Sequence, residues 1–254
     1  MAQLFPRFVD QEDALDLNKA ITMGELEATL KWFKRDKSPR LDGWLVEFYI
    51  AFFELLGDDL LKVIEDCQIS QRMYEAFNTT FITLIPKSDN PNSFDDFHPI
   101  SLCNCIYKII AKIIANCLHP ILSSHISSEQ FTFLQDQQIH ETVGTAQEVL
   151  LSVQTKKLKG MILKVDLSKA FNRVSWLYIK ILLTHLGFPI EFIQWIMCCI
   201  TNITFCVLIN GLTSPFFHSE RGLRQGCPLS PLLFLLIMEG LSRLILEEHG
   251  MGRL

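Results

Sequence analysis

Asp166 is the residue on which the candidate chemistry of this sequence centres. Residues 161–167 place apolar side chains at every second position, which is the pattern of a strand packed on one side, so Asp166 falls near the end of a predicted strand. Residues 156–180 contain seven lysines or arginines and no acid except Asp166. A carboxylate at a strand end beside a basic patch is where a metal ion would be held.

The cationic band has two interpretations. A run of lysines and arginines is more often a solvated face than a nucleic-acid site, so the band by itself does not decide the function. The segment after Asp166 is predicted to be helical, with Ser168 or Ser175 as its cap and a stop at Gly187.

A hairpin and a loop follow that helix. Residues 203–209 are predicted to form a strand that turns at residues 210–211, an Asn-Gly pair typical of tight hairpins, and returns toward a glycine-flanked loop at residues 221–226. Ser230 and Pro231 then begin a long apolar helix, with serine as the cap and proline at the first helical position.

Two upstream segments carry equally clear patterns. Residues 81–85 form a compact apolar strand closed by Pro86 and Lys87. Residues 106–118 repeat isoleucine and leucine at helical spacing, which predicts a core helix. We expect that helix to end at residues 119–120, because proline removes a backbone donor and clashes with the preceding turn.

Composition and charge exclude several classes of protein. The chain has 254 residues, of which 49% are hydrophobic, so it can bury a large core. The net charge of −5 argues against a uniformly basic nucleic-acid binder. The charge is uneven, however: residues 1–100 carry 18 acidic and 10 basic side chains, and residues 101–254 carry 10 and 13.

Cysteine usage and hydropathy predict an intracellular protein that is not secreted, in either the nucleus or the cytoplasm. The eight cysteines show no Cys-x-x-Cys pair and are expected to be reduced core thiols. The N-terminus lacks the apolar core of a signal peptide, and the longest apolar run, residues 232–238, is too short to span a bilayer. We therefore expect no membrane partner.

Four motifs in order make a specific resemblance. Residues 164–174 (KVDLSKAFNRV) and 221–231 (RGLRQGCPLSP) resemble the first two palm motifs of reverse transcriptases from plant non-LTR (LINE-type) retrotransposons. Residues 84–91 (LIPKSDNP) and 96–104 (DFHPISLCN) resemble finger motifs of the same family. The similarity extends from about residue 15 to the last residue.

The resemblance implies an α+β fold that is a partial right-hand polymerase. Residues 1–80 would be an N-terminal helical region, residues 81–160 the fingers region, and residues 161–254 an incomplete palm. The implied activity is RNA-directed DNA polymerisation, and the implied partners are an RNA template, a DNA primer and a deoxynucleoside triphosphate.

The resemblance also implies roles for individual residues. Asp166 would be catalytic, as a ligand of Mg²⁺, the expected cofactor. Lys87 would meet the triphosphate, Phe171 would pack beneath the sugar and select deoxynucleotides, and Gln225 and Gly226 would contact the nucleotide. The side chains expected to meet nucleic-acid phosphates are Lys164, Lys169, Arg221 and Arg224. A structural interpretation stays open for each: Phe171 is equally suited to the core, and the cationic side chains are equally suited to contact with solvent alone.

Departures from the family pattern predict a chain that is inactive by itself. The family's second metal motif, a Phe/Tyr-Ala-Asp-Asp hairpin, is expected tens of residues after Gln225, and the sequence ends at Leu254 before reaching it. His98 stands where relatives have an arginine that clamps the triphosphate, and Asn172 replaces the usual aspartate. We interpret these changes as decay of a retroelement copy.

Two other functions compete with that prediction. The first is a non-catalytic remnant that binds nucleic acid without extending it. The second is an unrelated helical enzyme, which the order of the four motifs makes a poor explanation. Primer extension that depends on Asp166 separates the polymerase from the remnant.

Overall fold

The computed structural model describes residues 6–34, 43–127, 130, 139–157 and 165–253. The fold is α+β, as the sequence predicts. Five helices precede the first strand: α1 (Gln11–Leu17), α2 (Met23–Trp32), α3 (Val46–Ala51), α4 (Phe53–Ser70) and α5 (Glu75–Asn78). The side chains of Asp10 and Thr22 cap α1 and α2, each accepting a hydrogen bond from the backbone three residues on.

One mixed sheet follows these helices. Its strands are β1 (Thr79–Pro86), β2 (Phe97–Cys103), β3 (Thr204–Ile209), β4 (Leu212–Thr213) and β5 (Phe217–His218). β1 pairs antiparallel with β2 on one side and parallel with β3 on the other, and β4 and β5 both pair antiparallel with β3. A short 3₁₀ turn, Phe94–Asp96, leads into β2.

The predicted hairpin is confirmed by its backbone angles. Asn210 and Gly211 have φ values of +50° and +80°, so both residues have the positive φ of a type I′ turn, whose twist matches that of the flanking strands. The turn therefore sets the direction in which the chain returns toward residues 221–226.

A long buried helix, α6 (Cys105–His125), forms the centre of the core. It packs against α2, α10 (Ile190–Ile200) and α11 (Ser230–Gly250). By length and composition α6 would be able to cross a membrane, but 61% of its apolar stretch is buried inside the fold. That burial, together with the contacts to these helices and to α5, is the behaviour of a core helix.

The predicted end of α6 at residues 119–120 is wrong. Pro120 lies inside the helix, which continues to His125. Beyond the proline, Ile121 and Leu122 are buried, with 6% and 0% exposure. Their burial favours continuing the helix, and this outweighs the backbone hydrogen bond lost at the proline.

Three further helices lie between α6 and α10 in the described part of the chain. They are α7 (Ile139–Thr155), α8 (Ala170–Arg173) and α9 (Trp176–His185). Of the two predicted caps, Ser175 is the one used, because its hydroxyl accepts a hydrogen bond from Tyr178 N–H at the start of α9. α11 begins at Ser230 with Leu229 at the cap position, one residue earlier than predicted.

Candidate functional site

Asp166 lies on an exposed loop immediately before α8. Residues 165–167 have no regular secondary structure, and Val165 and Leu167 are 61% and 43% exposed. The rest of the predicted strand, residues 161–164 with Lys164, lies outside the described residues. The prediction of a strand is therefore wrong at residues 165–167: no strand of the described sheet pairs with them, and a strand is held by hydrogen bonds to a neighbour.

A second loop packs directly against the segment after Asp166. We call residues 221–227 the glutamine loop. Leu223 N–H donates to the Phe171 carbonyl at 2.8 Å, and Gly222 N–H donates to the Val174 carbonyl at 2.8 Å. The Trp176 indole N–H donates to the Gly222 carbonyl at 2.7 Å. Backbone hydrogen bonds thus join two motifs that are about fifty residues apart in the sequence.

Gly222 makes this close approach possible. Its φ is +95°, and a Cβ there would lie 3.0 Å from the Asn172 carbonyl oxygen and 3.1 Å from the Asn172 Cα. Both atoms belong to the backbone and have little freedom to move away. Only glycine therefore fits where the glutamine loop crosses the segment after Asp166.

Phe171 is held by aromatic packing. Its half-buried ring stacks on Phe234 of α11, with centroids 4.7 Å apart and planes 18° from parallel. The packing orients the ring next to the residues hydrogen-bonded to the glutamine loop. This packing agrees with the interpretation of Phe171 as a core residue. Its role beneath a nucleotide sugar stays a prediction.

Gln225 lines a cleft between the glutamine loop and the sheet. The Gln225 carbonyl accepts a hydrogen bond from Ser101 N–H of β2 at 3.2 Å. The next residue, Gly226, is exposed and has a φ of +89°. The cleft has a volume of about 400 Å³, and its other lining residues include Ile82, Pro99, Asn172, Phe205, Phe217, His218 and Arg221. Its walls combine aromatic, polar and cationic groups with one acid, Glu220.

Arg224 requires a correction, because its side chain points into the interior. It is 3% exposed, and the guanidinium carbon lies 3.8 Å from the centroid of the Tyr107 ring. Its terminal nitrogens donate to Thr80 Oγ1 at 3.0 Å and to the Cys199 carbonyl at 2.9 Å, and also to Asn78. The side chain is thus committed to interior partners and is not placed to meet a phosphate in solvent, whereas Arg221 in the same loop is exposed.

The charge of Arg224 is retained in this interior. Burial alone disfavours a charged guanidinium, but the hydrogen bonds to Thr80, Asn78 and Cys199 favour the charged form, and an arginine does not lose its proton in proteins. Burial also raises the pKa of Tyr107 well above its usual range. The phenol therefore stays protonated, and it donates to the Cys199 carbonyl at 3.2 Å.

Two predicted phosphate contacts, Lys87 and Lys169, meet at one acidic residue. The Lys169 ammonium lies 2.8 Å from the Asp95 carboxylate, across 74 residues of sequence. Lys87 Nζ donates to the Asp95 carbonyl at 2.6 Å. The hydrogen bond and the charge of Lys169 lower the pKa of Asp95. This contact joins the turn between β1 and β2 to the loop after Asp166, and both lysines are exposed.

The described residues do not form a metal-binding cluster around Asp166. They contain no cluster of three or more histidine, cysteine, aspartate or glutamate side chains able to hold a metal ion. Two-metal catalysis needs oxygen ligands that hold both ions against their hydration shells. One exposed carboxylate does not meet that requirement, so we derive no step through a metal.

Some residues that build this site were missed by sequence reasoning. The acceptors around Arg224 come from α5, β1 and α10, and no pattern in the sequence connects them. Asp95 was also missed, although it lies inside the turn between two predicted finger motifs. Gly222 carried a usable signal, since a glycine beside a turn often marks a positive φ or a close backbone approach.

Comparison with known proteins agrees with this geometry. Residues 85–252 match the family model described as reverse transcriptase (RNA-dependent DNA polymerase). Over 244 residues, 92% of this chain and 19% of the relative, the sequence is 30% identical to the transposon TX1 uncharacterized 149 kDa protein of Xenopus laevis.

Two further relatives come from insect retrotransposable elements. The chain is 28% identical over 172 residues to the retrovirus-related Pol polyprotein from type-1 element R2 of Nasonia vitripennis, covering 66% of this chain and 16% of that protein. It is 29% identical over 166 residues to the corresponding polyprotein from type-2 element R2DM of Drosophila melanogaster, covering 65% and 16%. This chain therefore spans less than a fifth of the length of these three relatives.

Proposed function

This chain belongs to the reverse transcriptase (RNA-dependent DNA polymerase) family, and on that premise we propose that it is the fingers and part of the palm of an RNA-directed DNA polymerase of non-LTR retrotransposon origin. The observation that carries the proposal is the backbone contact between the segment after Asp166 and the glutamine loop. In a polymerase of this family those two motifs together form the nucleotide site.

We assign the parts of the polymerase as the motifs indicate. Residues 1–80 form an N-terminal helical region, residues 81–160 the fingers and residues 161–254 a partial palm. The sheet links the proposed regions, because β3 from the palm portion pairs with β1 from the fingers portion. The proposed partners are an RNA template, a DNA primer and a deoxynucleoside triphosphate.

We propose the roles that the family motifs imply for these residues. Asp166 is a Mg²⁺ ligand at the exposed loop. Phe171 supports the deoxyribose, while Gln225 and Gly226 contact the nucleotide from the cleft. The residues proposed to meet phosphates are Lys87, Lys164, Lys169 and Arg221. Arg224 is left out of this set because its side chain is buried.

We propose that the chain by itself binds nucleic acid and does not extend a primer. Among the described residues, Asp166 belongs to no cluster of three or more side chains able to hold a metal ion, and His98 stands on β2 where an arginine would clamp the triphosphate. The same observation favours the second candidate function, a non-catalytic nucleic-acid-binding remnant. We also propose an intracellular location, in keeping with eight free thiols.

Primer extension tests these proposals. The chain is incubated with an RNA template, a labelled DNA primer, deoxynucleotides and Mg²⁺, and binding is followed in parallel by fluorescence anisotropy at several salt concentrations. We expect salt-sensitive binding and no extension. The variants are Asp166→Asn and, as a matched control, Asp58→Asn, which removes an exposed carboxylate from α4.

Each outcome has a defined meaning. Extension that Asp166→Asn abolishes and Asp58→Asn preserves would establish an active polymerase and overturn the proposed inactivity. Binding without extension supports the remnant. Absence of template–primer binding by the unmodified chain would count against both candidate functions.

A further inference from the structure

Arg224 is the most completely buried cationic side chain near the candidate site. Its partners are neutral: the Thr80 hydroxyl, the side chain and carbonyl of Asn78, the Cys199 carbonyl and the face of the Tyr107 ring. A buried charge is costly unless hydrogen bonds replace its water. The two terminal nitrogens of the guanidinium donate in several directions at once, which a lysine ammonium at the same place would not reproduce.

The acceptors around Arg224 are themselves fixed. The Asn78 amide donates to the carbonyls of Thr201 and Asn202, each at 3.0 Å. The Tyr107 hydroxyl bonds the Cys199 carbonyl and lies 3.2 Å from Cys227 Sγ. The guanidinium therefore connects the glutamine loop to the start of β1, to α6 and to the end of α10.

The neighbours of Arg224 in the sequence face the candidate site. Leu223, on one side, is hydrogen-bonded to the Phe171 carbonyl, and Gln225, on the other side, is hydrogen-bonded to Ser101. Any movement of the Arg224 backbone would thus displace the contact to Phe171, the Gln225 side chain, or both.

We propose that Arg224 is a positioning residue that fixes the backbone of the glutamine loop, and through it the placement of Gln225 relative to Phe171. The inference rests on the proposed function, because the placement of Gln225 relative to Phe171 matters for activity only if these residues contact a nucleotide. It assigns the two arginines of the loop different tasks: Arg224 orders the loop from inside, and Arg221 is the one that can reach a phosphate.

Hydrogen–deuterium exchange of the free chain tests the ordering role without any nucleic acid. We expect Arg224→Met and Arg224→Lys to speed exchange about ten-fold in residues 221–227 and 171–176, because the lost hydrogen bonds stabilise the closed loop. Exchange in α2 should stay as in the unmodified chain. Thr80→Val, which removes one acceptor and keeps the charge, should give a smaller change in the same segments, and Arg221→Met serves as the matched control with no change.

Salt-dependent binding to an RNA–DNA template–primer separates positioning from phosphate contact. Arg221→Met should reduce the slope of log affinity against log salt by about 1, whereas Arg224→Met should leave the slope unchanged. A slope reduced by Arg224→Met, with exchange in the loop unaltered, would overturn the inference. Faster exchange spread evenly over the whole chain would also overturn it, since Arg224 would then be an ordinary core residue.

The two tests separate this inference from the proposed function. If the unmodified chain does not bind the template–primer, the proposed function fails, while the exchange comparison of the free chain still decides whether Arg224 orders the loop. If Arg224→Met does not fold, Arg224→Lys and Thr80→Val supply the same comparison.

Discussion

At the scale of single residues, Gly222 and Arg224 determine how the glutamine loop sits. Gly222 permits a backbone crossing that leaves no room for a Cβ, and Arg224 holds the next turn of the loop from the interior. Gly222 positions the loop because it has no side chain, and Arg224 positions it because its long side chain is buried. Both act on the same few residues, so the loop is positioned from two directions.

We predict that Gly222→Ala destabilises the chain by about 2 kcal/mol or more, because alanine is strained at positive φ and its Cβ would meet the Asn172 backbone. Gly211→Ala is the matched control: its φ is +80°, yet a Cβ there meets no atom within 4 Å. That control should cost about 1 kcal/mol, since only strain is added. Urea unfolding measures both, and equal losses would show that the crossing at Asn172 is not tight.

At the scale of elements, one buried carboxylate links the end of α6 to α11. Glu239 is 1% exposed, and its carboxylate accepts hydrogen bonds from Arg243 Nε at 2.6 Å and from Ser127 Oγ at 2.7 Å. Arg243 also donates to the His125 carbonyl at the end of α6 at 3.2 Å. This network fixes the last turn of α6 against α11, the helix that supports Phe171 through Phe234.

We predict that Glu239→Ala lowers the free energy of unfolding by about 3 kcal/mol, because it leaves the partly buried Arg243 without its carboxylate. Glu248→Ala, which removes the partner of Arg253 on the surface, should cost less than about 1 kcal/mol. Chemical denaturation of the two variants checks the comparison. Similar losses for both would contradict a structural role for the buried pair.

At the scale of the whole molecule, buried thiols make the free energy of unfolding depend on pH in the alkaline range. All eight cysteines lie among the described residues as reduced thiols, and most are buried in the core. Burial raises the pKa of Cys67 and the pKa of Cys117, each from an ordinary value of 9.0 to about 11. Because the folded state holds these protons more tightly than the unfolded chain does, each thiol adds stability below pH 9 that is lost as the pH rises toward 11.

We predict that the free energy of unfolding falls by about 2 kcal/mol per thiol between pH 8 and pH 11. Urea titrations across that range measure the decline. A variant with Cys67→Ala and Cys117→Ala should be less stable at pH 8 but lose less on going to pH 11. An unchanged pH dependence in that variant would assign the decline to other groups.

Local physics accounts for what the sequence determined by itself. The Asn-Gly turn, the strands β1 and β3 and the apolar stripe of α6 each depend on residues adjacent in the chain, so backbone preference and periodicity suffice to predict them. The order of the motifs likewise indicated the family, which the match over residues 85–252 confirms.

Contacts between distant residues decided the rest. An arginine in a loop meets solvent or the interior according to which acceptors surround it, and for Arg224 these come from Asn78, Thr80 and Cys199. Residues 165–167 adopt no strand because a strand requires a neighbour to complete its hydrogen bonds. Pro120 stays within a helix because the side chains after it are buried. In each case the free energy of the observed conformation depends on groups that only the folded chain brings together. Composition and spacing do not reveal which groups these are.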